Sequence, residues 1–320
     1  MGTRATTSTT AAPPLLVGIG EILWDLLPDG RQPGGAPTNV AWHAAQLGLR
    51  ATVVSAVGDD DDGRELMVRL DAIGLDRSHI AVEPAHPTGT AGVVLDAAGR
   101  STFTIAAGVA WDRIALHTGL LHLAVEAAAV CVGTLAQRDE VSRTTIQAFL
   151  AATRPGCLRV YDVNLRQHHF NATIVAQTIA ACHVVKVSDE EWPIVAGLID
   201  LPADPRSGAM ALRKRHDLRL VAVTRGPHGS LLCDAHGLHD HPGIPAAVVD
   251  TVGAGDAFTA AVTAGLLLGM PLARLHDLAS RAAAHVCASR GATPTLPAEI
   301  TSAFRAALPA RPAVRAPAAS

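Results

Sequence analysis

The sequence predicts an α/β fold: a mostly parallel sheet with helices on both faces, and a small second sheet set into it. Three observations carry this expectation. From residue 111 onward, short apolar strands at 129–132, 158–163, 183–187 and 219–224 alternate with helices near 139–152, 172–181, 189–197 and 207–216. Such alternation is the pattern of a parallel sheet built from βαβ units. Residues 88–95, a turn at 96–99 and residues 101–105 read as a β-hairpin. An isolated hairpin is marginal, so it is expected to join strands from the 21–34 stretch as a separate small sheet. Finally, glycines and polar groups collect at the predicted C-terminal ends of strands, where open parallel sheets bind ligands.

The first strand is Leu15-Leu-Val-Gly-Ile-Gly20, followed by extended apolar sequence and a turn-rich 29–35 segment. Gly18-x-Gly20 is not a dinucleotide fingerprint, because position 23 is Leu23 and no helix follows. Gly34-Gly35-Ala-Pro-Thr-Asn39 opens a helix over 40–47, with Pro37 in its first turn and Gly48 after its last. Residues 52–57 form a buried strand, and Gly58-Asp-Asp-Asp-Asp62-Gly63 leads into a helix ending at Gly74. Four acids at a helix start complement its dipole, which accounts for them without a metal. Residues 244–249 read as a strand despite Pro245, and residues 257–268 as a helix with Ala and Gly on a tightly packed face.

At 320 residues the chain can bury a large core. Its 49% hydrophobic content is dominated by Ala and Val with few aromatics, so closely packed small side chains are expected. A net charge of −3 and no long basic run argue against a nucleic-acid surface. The five cysteines are scattered, as reduced thiols in a cytoplasmic protein are. Residues 1–14 lack an apolar core and read as a disordered leader, although Gly2 and Thr6 fit the loose myristoylation pattern. The longest apolar stretch, 257–270, is too short to span a bilayer. The main body is expected over 15–304, with lid segments at 22–35 and 80–108 and a flexible tail over 305–320.

The chemistry concentrates at Asp250-Thr-Val-Gly-Ala-Gly-Asp256. Glycines followed by a helix N-terminus present bare amides to an anion. Asp256 would repel a bound phosphate unless its task is to take a proton while a neighbouring charge is transferred. Taken alone, the motif is more often a plain helix cap. Other strand ends add Gly133-Thr134, Asp162-Val-Asn164-Leu-Arg166, Lys186-Val-Ser188-Asp-Glu-Glu191 and Thr224-Arg-Gly226-Pro-His-Gly229. No Gly-x-x-x-x-Gly-Lys-Ser/Thr occurs, which excludes a P-loop. His236, His239 and His241 have zinc-like spacing but fall in a predicted surface hairpin, and the four tryptophans read as packing residues, with Trp111, near the lid hinge, also a candidate ligand contact.

Together these motifs resemble the PfkB/ribokinase-like superfamily of small-molecule kinases over residues 15–300, most closely its fructokinase-like members. The resemblance rests on Gly34-Gly35-Ala-Pro-Thr-Asn39 and on Asp250-Thr-Val-Gly-Ala-Gly-Asp256. It implies a Rossmann-like, ribokinase-like three-layer core with a β lid over the sugar. It implies that Asp256 is the catalytic base and that Gly253, Ala254 and Gly255 form the anion hole. Asp25, Gly34, Gly35 and Asn39 then hold the sugar, and Arg166 steadies the transferring phosphate or a sugar oxygen. Lys186, Ser188, Glu191, Thr224, Gly226, Gly229 and Cys287 fall on the nucleotide side, although Cys287 reads from its residue type as a small core residue. ATP and Mg2+ are implied, Mg2+ through Glu191 and water, with K+ near Asp250, Val252 and Gly291.

Two positions depart from the family pattern. Its Asn-x-x-Glu motif appears as Ser188-x-x-Glu191, with a shorter oxygen ligand, and residues 105–112 lack the lid arginine of fructokinases and 2-keto-3-deoxygluconate kinases. A substrate carboxylate needs positive charge, so that absence weighs against 2-keto-3-deoxygluconate. The expectation is an ATP-dependent fructokinase. Ribokinase, 2-keto-3-deoxygluconate kinase, nucleoside kinase and a non-catalytic sugar sensor are the alternatives. The small-molecule sugar is the expected partner, with no nucleic acid, no membrane and a homodimer through the lid.

Overall fold

The computed structural model describes residues 12–27, 30–95 and 101–308. Residues 1–11 of the predicted leader, the predicted turn at 96–99, and most of the tail lie outside them. The main sheet has nine strands in the order β13-β12-β11-β10-β9-β8-β1-β4-β5. Their ranges are β1 (Leu15–Ile19), β4 (Arg50–Gly58), β5 (Ile80–Glu83), β8 (Ala129–Val132), β9 (Leu158–Asp162), β10 (Val184–Ser188), β11 (Leu220–Thr224), β12 (Ser230–Asp234) and β13 (Gly237–His241). All pairings are parallel except β11–β12 and β12–β13.

The chain starts at β1, third from one edge, builds outward through β4 and β5, then returns to β8 on the other side of β1. The strand order therefore reverses between β1 and β8, and a crevice opens beyond their C-terminal ends. Strand residues alternate between two cores. Val17, Ile19, Val130 and Val132 face one layer of helices, α3 (Thr118–Glu126), α4 (Glu140–Ala152), α5 (Ala172–Ala181), α6 (Trp192–Ile199) and α7 (Pro205–His216). Leu16, Ala129 and Cys131 face the other, α1 (Ala36–Gln46), α2 (Asp61–Ala72), α8 (Ala254–Leu267), α9 (Leu272–Cys287) and α10 (Ala298–Arg305).

Helix α8 is buried from Ala257 to Gly265. Its Ala and Gly positions let α1 and α9 both close on it, and a Cβ at Gly265 would run into Leu275 of α9. The expected core of small side chains holds in this layer. Elsewhere aromatics anchor the packing, with Trp111, Trp192, Tyr161 and Phe149 wholly buried in the other core. All five cysteines are free thiols.

The second sheet runs β3-β2-β6-β7, with β2 (Leu23–Leu27), β3 (Gly30–Gly34), β6 (Gly89–Leu95) and β7 (Ser101–Ile105). Its two antiparallel hairpins are joined by a parallel β2–β6 pair. The 88–105 hairpin thus joins the 21–34 stretch as expected, whereas β5 at the start of the 80–108 segment edges the main sheet instead. One strand expectation fails. Residues 244–249 form no ladder, and Val248 and Val249 are 66% and 58% exposed. Pro245 has no amide to give a sheet, and the Val249 and Asp250 amides donate to the Cys287 carbonyl at the end of α9. Apolar character there reflects an exposed loop rather than a core strand.

Among the described residues, no helix is long and apolar enough to cross a membrane.

Candidate active site

The crevice is floored by the loop from Asp250 into α8. Asp250 accepts the Val252 amide on Oδ1 (3.0 Å) and the Gly291 amide on Oδ2 (3.1 Å), which ties this loop to the segment after α9. Gly253 caps α8 with φ 80°, and a Cβ there would collide with Ala292. The first turn of α8 carries Asp256, whose Oδ2 accepts a hydrogen bond from Asn39 Nδ2 at 2.8 Å. Asn39 lies in the first turns of α1, so the two glycine motifs of the sequence meet here across 217 positions. Burial, then the charge of Asp162, push the Asp256 carboxyl up to about 6 against the pull of Asn39, Lys186 and Arg166. A carboxylate titrating near neutrality suits a general base.

Beside the α8 N-terminus stands an ion pair. Lys186 Nζ donates to Asp162 Oδ1 at 3.0 Å, with side chains 10% and 3% exposed, and Thr259 Oγ1 donates to Asp162 Oδ2 at 2.7 Å. A Cβ on Gly255 would lie 2.8 Å from Lys186 Nζ, so the ammonium sits directly against the Gly255 backbone. Burial pulls the Lys186 pKa down, but Asp162 and Glu191 outweigh it and hold it above the ordinary lysine value. Bare amides at a helix N-terminus with a fixed cation beside them fit the phosphates of a nucleotide.

The Gly34-Gly35 motif lies opposite. Gly34 ends β3 against Asp25 on β2, and a Cβ there would overlap the Asp25 carboxylate. Gly35 has φ 113°, and a Cβ on it would strike the Glu21 carbonyl. Only glycine fits either position. Burial, then Asp256, push Asp25 up to about 6, with Arg166 opposing. Glu21, two residues past β1, is 2% exposed and accepts the Ala36 amide on Oε1 at 3.2 Å. Arg166 is exposed on the turn after β9, where Asn164 and Gln167 take positive φ, and donates to its neighbour's carbonyl at 3.1 Å. Its charge acts on Glu21, Asp25 and Asp256 alike.

Ser188 and Glu191 cap one another: Glu191 Oε2 accepts the Ser188 amide at 2.8 Å, and Ser188 Oγ accepts the Glu191 amide at 3.2 Å. Glu191 Oε1 takes the Leu165 amide at 2.6 Å, which links β10 to the turn that carries Arg166. Ser-x-x-Glu is the spacing of a capping box, a signal present in the sequence and overlooked there. Thr224 ends β11 beside Ser188, and Gly226 and Gly229 form the adjoining turn, with Gly229 packed on His241 and Gly243. Cys287 is half-buried at the end of α9, and its carbonyl anchors residues 249 and 250.

Some showy residues lie elsewhere. Trp111 is wholly buried under the Arg138 guanidinium, 4.0 Å from its ring, and is a packing residue rather than a sugar contact. Arg138, from the turn after β8, also pairs with Asp112 at 2.8 Å and donates to the Ala106 carbonyl. Positive charge therefore reaches the 105–112 segment from a distant part of the chain, but already neutralised. Arg31 of β3 is likewise paired with Asp62 and Glu65 and stacks on Trp24. His239 meets His276 of α9, Nδ1 to Nδ1 at 2.7 Å, and no cluster of three metal-ligating side chains occurs among the described residues. Glu21 and Thr259 have no counterpart in the sequence reading. An acid directly after the first buried strand was the available signal for Glu21.

Comparison with known proteins agrees with this geometry. The model of the pfkB family of carbohydrate kinases matches residues 29–299. A fructokinase of Escherichia coli is 31% identical over 304 residues, covering 87% of this chain and 95% of the relative. A fructokinase of Salmonella typhimurium is 34% identical, with the same coverage. Among solved structures, a Pyrococcus horikoshii sugar kinase in complex with ATP superposes with a TM-score of 0.73 at 28% identity, covering 87% of this chain and 94% of that one. A fructokinase of Xylella fastidiosa with bound ATP shares the fold with a TM-score of 0.77 at 20% identity, covering 91% and 97%. Sequence motifs, doubly wound sheet, second sheet and relatives agree: the chain belongs to the pfkB family of carbohydrate kinases.

Proposed function

We propose that this kinase is a magnesium-dependent fructokinase that phosphorylates a hydroxyl of a neutral sugar at the expense of ATP. The observation that carries the reading is the Asn39–Asp256 bond, which sets a carboxyl titrating near 6 between the sugar-side glycines and the Lys186-flanked amides. Bound ATP with magnesium supplies the phosphoryl group and part of the charge neutralisation.

The protein's own residues do the rest. Asp25, Gly34, Gly35 and Asn39 hold the sugar, and Asn39 also orients Asp256. Asp256 takes the proton of the attacking hydroxyl. The amides of Gly253, Ala254 and Gly255 and the Lys186 ammonium stabilise charge on the phosphoryl oxygens, and Arg166 adds a further cation from the rim. Thr224, Gly226, Gly229 and Cys287 line the nucleotide side. Glu191 and Ser188 spend their capping bonds on backbone and keep lone pairs for magnesium-bound water. Asp250, with Val252 and Gly291, is the proposed K+ site. The second sheet acts as a lid that excludes water, and its exposed face, with Leu26, is the proposed dimer contact. A cytoplasmic location accords with the free thiols.

Fructose is favoured over 2-keto-3-deoxygluconate because Asp25 and Asp256 make the pocket acidic, while both arginines near the lid are already paired. A substrate carboxylate would meet repulsion there. Asp256→Asn tests the central assignment. The isosteric amide should lower turnover by about 100-fold or more while sugar binding persists. ADP release is assayed with fructose, ribose, 2-keto-3-deoxygluconate and adenosine. Near-normal turnover by the variant would sink the assignment, and binding of a sugar without ADP release by the unaltered protein would favour a sensor.

A further inference from the structure

Glu21 is buried in the sugar half of the crevice, yet no step assigned above uses it. Its Oε1 accepts the amide of Ala36, the first residue of α1 and the one directly after the glycine pair. Its Oε2 is buried and has no hydrogen-bond partner among the described residues. Leaving that oxygen bare costs an ionised carboxylate more than a neutral acid. The groups around it divide: Asp256 opposes its ionisation, whereas Arg166 and the amides of Glu21 and Ala36 favour it. Asp256 faces it from α8 and Arg166 from the turn after β9. Asp25 on β2 shares both of those neighbours. From α1 it meets the Ala36 amide, while Ser55 of β4 donates to the carbonyl of the preceding residue, Gly20.

We propose that Glu21 is a positioning residue that works as a neutral acid: it fixes the amide at the end of the sugar loop, and its ionisation draws Arg166 away from the transferring phosphate. The inference rests on the kinase reading above, with Asp256 as the base. Burial first, and then Asp256, push the Glu21 carboxyl up to about 7. Ionisation within the working range would put a second negative charge beside Asp256. Arg166, the cation whose field reaches all three acids, is the group able to answer it. Phosphoryl transfer would then lose the rim cation as pH rises, although Asp256 itself is better ionised.

Glu21→Gln separates this from a merely structural role, since the amide oxygen can still accept from Ala36 but carries no titrating proton. The measurement is kcat/KM against pH at saturating magnesium-ATP, using fructose or the panel sugar turned over fastest. The unaltered enzyme should fall by about 20-fold between about pH 6.5 and about pH 8.5, and the variant should stay flat over that span. In ligand-free protein labelled with 13C-glutamate, the carboxyl resonance lost in the variant should titrate near 7. Superimposable pH profiles, or a Glu21 resonance titrating near the ordinary glutamate value, would overturn the inference. Absence of phosphoryl transfer to any sugar by the unaltered protein would overturn the kinase reading instead, and the resonance would still decide the protonation state.

Discussion

Lys186→Met separates the structural and catalytic tasks of one buried cation. Removing the ammonium leaves Asp162 buried with Thr259 alone to bond its carboxylate. Breaking a buried pair in this way costs about 3–5 kcal/mol. The cost has a ceiling, because Asp162 can take a proton, and burial already pushes its pKa up. Holding an ordinary aspartate protonated at pH 7 costs about 4 kcal/mol, so the loss cannot much exceed that value. The sign follows from the raised folded-state pKa. Stability is retained below the unfolded value of 3.8 and lost as pH rises through the folded one. The destabilisation of Lys186→Met should therefore grow with pH, reaching a melting-temperature loss of roughly 6 °C near neutrality.

Adding Asp162→Asn removes the orphaned charge, and its amide oxygen can still accept from Thr259. The double variant should regain at least half of the lost stability. Turnover should not return, because no cation remains beside the Gly255 amide; a deficit of about 100-fold corresponds to about 2.7 kcal/mol of transition-state stabilisation. Urea denaturation at several pH values and kcat for the best sugar give both numbers on the same samples. Recovery of turnover in the double variant would show that Lys186 only supports the fold. A pH-independent loss in Lys186→Met would refute the charge argument itself.

Two further outcomes concern stability and the second sheet. Glu21 is raised from 4.5 to about 7, so its contribution is complete below pH 4.5 and lost as pH rises through 7. Relative to Glu21→Gln, the unaltered protein should lose about 3 kcal/mol over that window; parallel urea midpoints across it would contradict the raised pKa. Asp60 caps α2 through the Gly63 amide (2.7 Å) and holds Thr88, next to β6, through its amide (2.8 Å) and hydroxyl (2.6 Å). Asp60→Ala should cost about 1–3 kcal/mol and raise the sugar KM, because the second sheet loses its tie to the main body. An unchanged KM and melting temperature would show that the tie does not set the lid.

What the sequence determined by itself was local. Strand and helix alternation depends on residues a few positions apart, so β8 and α5 were found at their observed limits. The glycine motifs were legible because a positive φ or a backbone-to-side-chain approach leaves glycine as the residue that fits, as at Gly35 and Gly253. Residues 244–249 misled because apolar content marks contact with something but does not name it; here backbone bonds to Cys287 hold an exposed loop. Only the tertiary structure decided which distant groups share one low-dielectric space. It brought Asn39 to Asp256, placed Asp162 and Thr259 around Lys186, and carried an already paired Arg138 to the 105–112 segment. It also buried Glu21 among those charges with one oxygen unanswered. Burial and through-space charge set a carboxyl's pKa, and neither quantity is a property of residues close together in the chain.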